Sequence, residues 1–574
     1  MNEQKLAMNR RRFIAGLSAA GVGSTLLPGA LAAVAQDADE ITVEMLAAAQ
    51  QIAGLRFTPD ELRAVVDRLN RTGGNTAAYE TLRAADLGNS TQPALVFNPV
   101  PPGMTLPTDR RPIRRQKLAV PMPATDAELA FLPLTHLARL VETRQVTPSE
   151  LTELYLARLK QYNPVLHCVV SFTEELARRQ ARQADAEIAA GTYRGPLHGI
   201  PWGAKDLLAV RGTTTTWGAS PYQGRTIDTD ATVYSRLTDA GAILIAKLSM
   251  GALASGDRWF GGRTRNPWNT EQGSSGSSAG PGSATAAGLV GFAIGTETRG
   301  SIMSPSTRNG VTGLRPTFGR VSRYGAMALS WSMDKIGPMC RGAEDCALVF
   351  DAIQGPDGRD NSILDVPFNW DATADVTRLR VGYLRSAFED DIEDNPEAPQ
   401  RVASQRQNLG NDRAAFDAIR GLGVQVAPFD LPDLPTQAIG FILGTEAAAA
   451  FDTPTLNAQL DGMRAAPEES RWPDSFRMSR FVPAVEYLQA QRVRMRMIEE
   501  VHAAFGDLDL FIGSSLGLTN LTGHPEMSVP NGFFQGSPTS LRLTGKLFGE
   551  AEILLLAHAY QTATDHHLRH PSIT

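Results

Sequence analysis

The chain is poor in cysteine: Cys168, Cys340 and Cys346 are the three among 574 residues. Three cannot build a disulfide framework. Cys340 and Cys346 stand too far apart for a C-x-x-C motif and no histidine lies beside them, so all three read as small packing residues. Concentrated positive charge is also missing. The formal net charge is −6, and a nucleic-acid partner needs clustered cations to neutralise its phosphates. Long apolar runs are confined to one stretch, from Ile14 to about Val34. There Gly16, Gly21, Gly23, Pro28 and Gly29 make a poor spanning helix. No lysine closes the glycine-rich stretch near residue 276, which excludes a G-x-x-x-x-G-K-[ST] phosphate loop. What remains is an ordinary globular composition, 42% hydrophobic and 20% charged, long enough for one large domain and an accessory module.

The chain opens with an address. Asn9-Arg10-Arg11-Arg12-Phe13-Ile14 precedes the apolar stretch, and Ala33-Val34-Ala35 offers an A-x-A cleavage site. A charged start, an apolar middle and a small-residue end make a secretory signal, here resembling the twin-arginine type. Residues 1–36 are therefore expected to export a soluble periplasmic or secreted protein, with no membrane partner beyond that signal. Residues 37–97 read as a helical module: Thr58 caps a helix with Pro59 and Glu61 behind it, and Leu62, Val65, Val66 and Leu69 share one face. Residues 98–129 form a proline-rich basic arm whose Arg110, Arg111, Arg114, Arg115 and Lys117 read as solvated linker charges. The main domain spans 130–574. There short apolar runs (241–250, 379–384) alternate with helical patterns (near 410–422 and 480–503), which predicts an α/β fold with helices covering a sheet.

Two features carry chemistry. Lys205 sits inside the apolar run Ile200–Leu208, where an ammonium is costly. Residues 266–320 then hold Ser274, Ser275, Ser277, Ser278, Ser283 and Ser301, too many serines for all to be core. A flexible linker is excluded, because "AAGLVGFAIGT" (286–296) follows at once and must pack. Such a loop brings backbone N–H groups close to something bound. Gly276–Gly280 also fits G-x-S-x-G around Ser278, a weak pattern in a serine-rich stretch. Ser332–Lys335 fits S-x-x-K, but the companion motifs S-D-N and K-T-G are absent.

Five segments in order, "GIPWGAKDLL", "GSSGSSAG", "GTETRGSIMSPS", "GVTGLRPTFGRVS" and "SMDKIGPMCRGAEDCALVF", resemble the amidase signature family over roughly residues 130–565. The tail 523–564 resembles that family's C-terminal segment. The resemblance implies a central mixed β-sheet with helices on both faces, Lys205 as base and Ser301 as nucleophile. It implies a bridging serine behind a cis peptide bond, Ser277, with Ser275 and Ser278 as neighbours if the register differs. The backbone N–H groups of Thr298, Arg299, Gly300 and Ser301 are expected to form the oxyanion hole. The implied reaction is cleavage of a carboxamide C–N bond through an acyl-Ser301 enzyme. An amidotransferase A-subunit-like glutaminase, an esterase or carbamate hydrolase, and an inactive binding scaffold are the alternatives. The partner is a small-molecule amide; no metal and no organic cofactor is expected, and His566, His567 and His570 read as solvated. The sequence leaves a homodimer open.

Lys205 can act as a base only when neutral. An exposed lysine has a pKa of about 10.4, and burial among Ile200, Trp202, Leu207 and Leu208 lowers it. If 204–208 is extended, Asp206 points away from Lys205. Two positions depart from the family pattern. Arg299 replaces a glycine, and is either strained at positive φ or turned into the pocket toward an acidic group. Met303 replaces an arginine, so an ion pair is lost or supplied elsewhere. Segments 255–262 and 438–450 suggest Phe260 and Phe441 as substrate contacts, alongside Ser275, Ser278 and Arg299.

Overall fold

A computed structural model describes residues 41–72, 76–85, 87–389, 392–465 and 472–573. The signal expected over 1–36 lies outside them. The chain divides into two compact units, one of residues up to Leu87 with Phe481–Pro483, the other of Gly88–Arg480 with Ala484–Thr574.

The described part of the smaller unit holds helices α1 (Val43–Ile52), α2 (Pro59–Thr72) and α3 (Thr76–Ala84). Helix α2 starts where the cap predicts. The Thr58 amide donates to Glu61 Oε2 at 2.7 Å and the Glu61 amide to Thr58 Oγ1 at 3.3 Å. Leu62 and Val66 are buried, but Val65 is exposed, so the inward stripe is narrower than expected. The unit ends at Leu87, short of the expected 97. The basic arm belongs to the larger unit, where Arg110 pairs with Asp365 at 2.5 Å and the Arg114 amide donates to Trp370 O at 2.9 Å.

The larger unit is built on eleven strands: β1 (Val169–Phe172), β2 (Pro201–Lys205), β3 (Ile243–Leu248), β4 (Phe292–Glu297), β5 (Thr312–Arg315), β6 (Lys335–Cys340), β7 (Val381–Leu384), β8 (Val426–Phe429), β9 (Leu510–Ile512), β10 (Glu526–Phe534) and β11 (Ser537–Gly545). Their order across one sheet is β1-β3-β2-β4-β6-β5-β10-β11-β9-β7-β8. Strands β3, β2 and β4 run parallel to one another and β4 runs antiparallel to β6, so the sheet is mixed. Every residue of β2, β3 and β4 is buried. Successive side chains point to opposite faces, so both faces are covered there.

The covering helices include α4 (Pro148–Leu166), α5 (Glu174–Ala189), α6 (Ala279–Ala286), α7 (Met303–Asn309), α8 (Ala343–Ile353), α9 (Pro399–Gly421), α10 (Phe441–Ala450), α11 (Ala484–Phe505), α12 (Leu516–Thr522) and α13 (Glu550–Ala563). Helix α4 opens with the capping box expected from Thr147 and Glu150 and buries Leu151 and Tyr155. Among the described residues no helix is long and apolar enough to cross a membrane.

Candidate active site

Lys205 is the last residue of β2 and is fully buried. Its Nζ lies 2.8 Å from Ser277 Oγ, 3.0 Å from Ser278 Oγ, 2.8 Å from Thr296 Oγ1 and 3.3 Å from Thr296 O. All four neighbours are neutral. Burial pulls the amine down to about 7, against the opposing pull of the Asp334 and Glu297 carboxylates. Asp206 does not contribute, because it faces the other way. It forms a 2.9 Å ion pair with Lys247 and accepts from the Thr216 amide at 2.9 Å.

The two serines beside Nζ are not equivalent. Ser278 Oγ donates to Thr296 O at 3.1 Å and accepts from the Thr296 amide at 3.1 Å. Its only proton is committed to a carbonyl, so toward the amine it can only accept. Ser277 Oγ has no other partner among the described residues, which leaves its proton free to point at the lysine lone pair. The Gly276–Ser277 peptide bond is cis, as the resemblance implies.

The serine–glycine loop lies directly on another stretch of backbone. A Cβ on Gly276 would stand 1.7 Å from the Gly256 carbonyl oxygen, and one on Gly280 2.5 Å from the Ser249 nitrogen. As expected, not all of its serines are core. Ser274, Ser277, Ser278 and Ser283 are all buried; only Ser275 and Ser301 are half-exposed. Small hydroxyls enter a core when each finds a local partner, as Ser283 Oγ does on Arg265 O at 2.8 Å.

Ser301 lies in the turn between β4 and α7. The Glu297 carboxylate makes that turn by accepting from the Ile302 amide at 2.8 Å and the Met303 amide at 3.0 Å. The carbonyl of Ser301 accepts from the Ser278 amide at 3.2 Å, which docks the turn on the loop next to Ser277. Among the described residues the amides of Arg299, Gly300 and Ser301 donate to nothing in the protein. Three N–H groups on one tight turn are thus left without an acceptor in the protein.

Arg299 is not strained. The left-handed position is Gly300, at φ 90°. The Arg299 side chain is exposed, and Cβ atoms placed on Gly517 and Gly440 would lie 3.8 Å and 4.0 Å from its guanidinium nitrogens. Met303 is buried, and the missing cation is supplied from elsewhere. Arg315 pairs with Glu297 at 2.8 Å and Glu526 at 3.2 Å, while Arg542 donates to Met303 O at 3.1 Å. Glu297 is fully buried, which pushes its carboxyl up, yet Arg315 and the hydrogen bonds bring it to about 2.

A cavity adjoins Thr296 and Thr298. Phe260, Phe441 and Ser275 line other places. Phe260 stacks edge-on against Trp259 at 4.8 Å, Phe441 packs beside Ile439 and Ile442, and Ser275 borders a polar recess with Ser304 and Arg542. Thr296 and Asp334 are the contacts that sequence reasoning missed. Thr296 carried a signal, being the one hydroxyl in the apolar strand "FAIGTE". Asp334 accepts from Thr298 Oγ1 at 2.6 Å and from the Leu329 and Ser330 amides at 2.8 and 2.9 Å.

An amine whose pKa burial lowers to about 7, a free hydroxyl against it and a turn of idle amides define a class first: an α/β enzyme of amide chemistry, hydrolase or amidotransferase. Residues 150–517 match the family model described as Amidase. The chain belongs to the amidase signature family. It is 33% identical over 489 residues to the A subunit of the glutamyl-tRNA(Gln) amidotransferase of Methylococcus capsulatus, covering 76% of this chain and 98% of that protein. Against the corresponding protein of an Azoarcus species it is 34% identical over 495 residues, covering 76% and 99%. The native peptide amidase of Stenotrophomonas maltophilia superimposes with a TM-score of 0.65 at 28% identity, covering 75% of this chain and 96% of that one.

Proposed function

We propose that the protein is an exported amidase that hydrolyses the C–N bond of a linear carboxamide through an acyl-Ser301 intermediate. The Ser301 hydroxyl attacks the carbonyl carbon. Its proton passes to Ser277 as the Ser277 proton passes to the Lys205 amine, and the oxyanion takes the amides of the 298–301 turn. The relay then runs backwards: lysine returns its proton through Ser277 to the leaving nitrogen as the C–N bond breaks. Water repeats the sequence on the acyl ester and regenerates Ser301. The observation that carries this reading is Lys205, buried without a counter-ion and touching, in Ser277, the serine whose proton is uncommitted.

The test is to assay the purified chain for ammonia or amine release from primary carboxamides, peptide amides, anilides and esters. Turnover of amides without any added protein supports the reading. Release of ammonia from glutamine alone, and only when a partner protein is added, supports the amidotransferase reading that the 33% identity favours.

The pH profile is a further prediction. Lys205 works as the free base, and its pKa stands at about 7. The value of kcat/KM should therefore fall about tenfold per pH unit once pH drops below that value. Asp334 raises the Lys205 pKa through its negative charge. Asp334→Asn keeps a side chain able to bond Thr298 and the two amides but removes the charge, so the acid limb should move to lower pH. A limb that stays put or moves up would exclude Lys205 as the titrating base.

A further inference from the structure

The family match begins at residue 150, yet one wall of the cavity beside Thr296 comes from far upstream. Asn89, Ser90 and Gln92 line it. The rest of the lining mixes the apolar Leu207, Ala254, Met327, Leu329 and Ile336 with the charged Arg323, Asp334 and Lys335.

This segment is fastened at both ends. Asn89 behaves like an added strand residue: its Oδ1 accepts from the Ala328 amide at 2.8 Å, and its Nδ2 donates to Ala328 O at 2.9 Å and Ala450 O at 3.2 Å. A turn closes behind it, with the Thr91 amide on Gly88 O at 2.9 Å. Further on, the Phe97 ring lies edge-on to Phe318 at 5.0 Å, with the Arg494 guanidinium 3.5 Å from its centre. The Asn89 amide is thus fully used. Among the described residues, the Ser90 hydroxyl and the Gln92 carboxamide bond to nothing in the protein, and Gln92 is half-buried. A carboxamide held idle at the edge of a cavity that Thr296 and Thr298 also line is placed for a ligand's hydrogen bond rather than for the fold.

We propose that the segment Gly88–Asn98 is the substrate-selecting wall of this enzyme. Through Gln92 and Ser90 it reads a hydrogen-bonding group, such as a peptide bond, a carboxamide or a hydroxyl, several bonds from the scissile carbonyl. The inference rests on the amidase reading and adds to it a substrate class. A plain alkyl chain in the cavity would strand the Gln92 amide without water or partner. Sites built around such a hydrogen bond reject analogues lacking it far more strongly than apolar pockets reject a change of size.

Two fluorophosphonate probes of equal length test this, one a plain alkyl chain and the other interrupted by an amide. The readout is the ratio of their labelling rates at Ser301, followed by mass spectrometry. In the wild type the amide-bearing probe should react faster. Gln92→Met keeps the length of the side chain and removes its hydrogen bonding, and should lower the ratio about tenfold. Asn89→Ala loosens the anchor and should move the ratio in the same direction. A ratio unchanged in Gln92→Met overturns the selecting wall while leaving the amidase reading intact. Failure of the wild type to label at Ser301 with either probe overturns both.

Discussion

Replacing Ser301 by alanine is expected to remove amide hydrolysis almost entirely, by a factor of about 10⁴ or more in kcat. The size follows from the chemistry. Without the hydroxyl no acyl-enzyme forms, and water must attack an unactivated amide with help only from the amides of the turn. Lys205→Ala should cost a similar amount, because nucleophile and base act as one unit and their losses do not add. The double variant is then expected to be no worse than either single one. Stability separates the two. Ser301 is held by its main chain, through its carbonyl on the Ser278 amide, so Ser301→Ala should unfold at the wild-type denaturant concentration. Lys205→Ala leaves a void among buried groups and should lower that midpoint. Full turnover in Ser301→Ala, measured as ammonia release, would remove the mechanism.

The largest expected effect on stability belongs to Arg315. It lies fully buried between Glu297 and Glu526. Arg315→Met leaves the buried Glu297 without its ion-pair partner, while Glu526 keeps Arg542 at 3.3 Å, and breaking such a pair from one side costs about 3–5 kcal/mol. The pH dependence carries a sign that identifies the cause. In the wild type the Glu297 carboxyl is held at about 2, below its ordinary 4.5. Its ion pair therefore stabilises the fold above about 4.5, and that contribution is lost as pH falls from 4.5 toward 2. In Arg315→Met burial raises the Glu297 carboxyl instead, and protonation relieves the penalty. The stability deficit of the variant should be smaller at pH 5 than at pH 8 in urea titrations. A deficit independent of pH would mean that lost packing, not stranded charge, is responsible. Activity should fall as well, since Glu297 folds the turn that presents Ser301.

Much of this was legible in the sequence because it is local. A lysine in an apolar run and a threonine three residues before a glutamate leave marks within a few residues. The capping boxes at Thr58 and Thr147 and the lysine set in an apolar run are of this kind, whereas Ser277, 72 residues further on, was placed beside Lys205 by the family resemblance. What escaped depends on partners distant in the chain. Asp334 reaches the lysine's surroundings only because β4 and β6 pair. Asn89 joins the larger unit through Ala328 and Ala450, which moved the boundary back to Leu87. The serines of the 274–283 stretch could be counted but not assigned to core or surface, since Ser278 and Ser283, for instance, are held by acceptors at Thr296 and Arg265. Of the two alternatives for Arg299, strain is excluded: the turn takes its positive φ at Gly300, and arginine fits beside it.

Strands β2 and β3 each carry one interior lysine, and their registration decides what becomes of them. Ala204 stands level with Lys247 and Lys205 with Leu248, so Asp206 reaches Lys247 and leaves Lys205 without a counter-ion. Neighbouring residues of one extended strand point to opposite faces, so Asp206 cannot turn toward Lys205. A carboxylate one residue further along would share the lysine's face and hold it as a charged, chemically inert cation. The capacity to accept a proton is in this sense a property of odd and even numbering along a sheet, set by the fold before any substrate arrives.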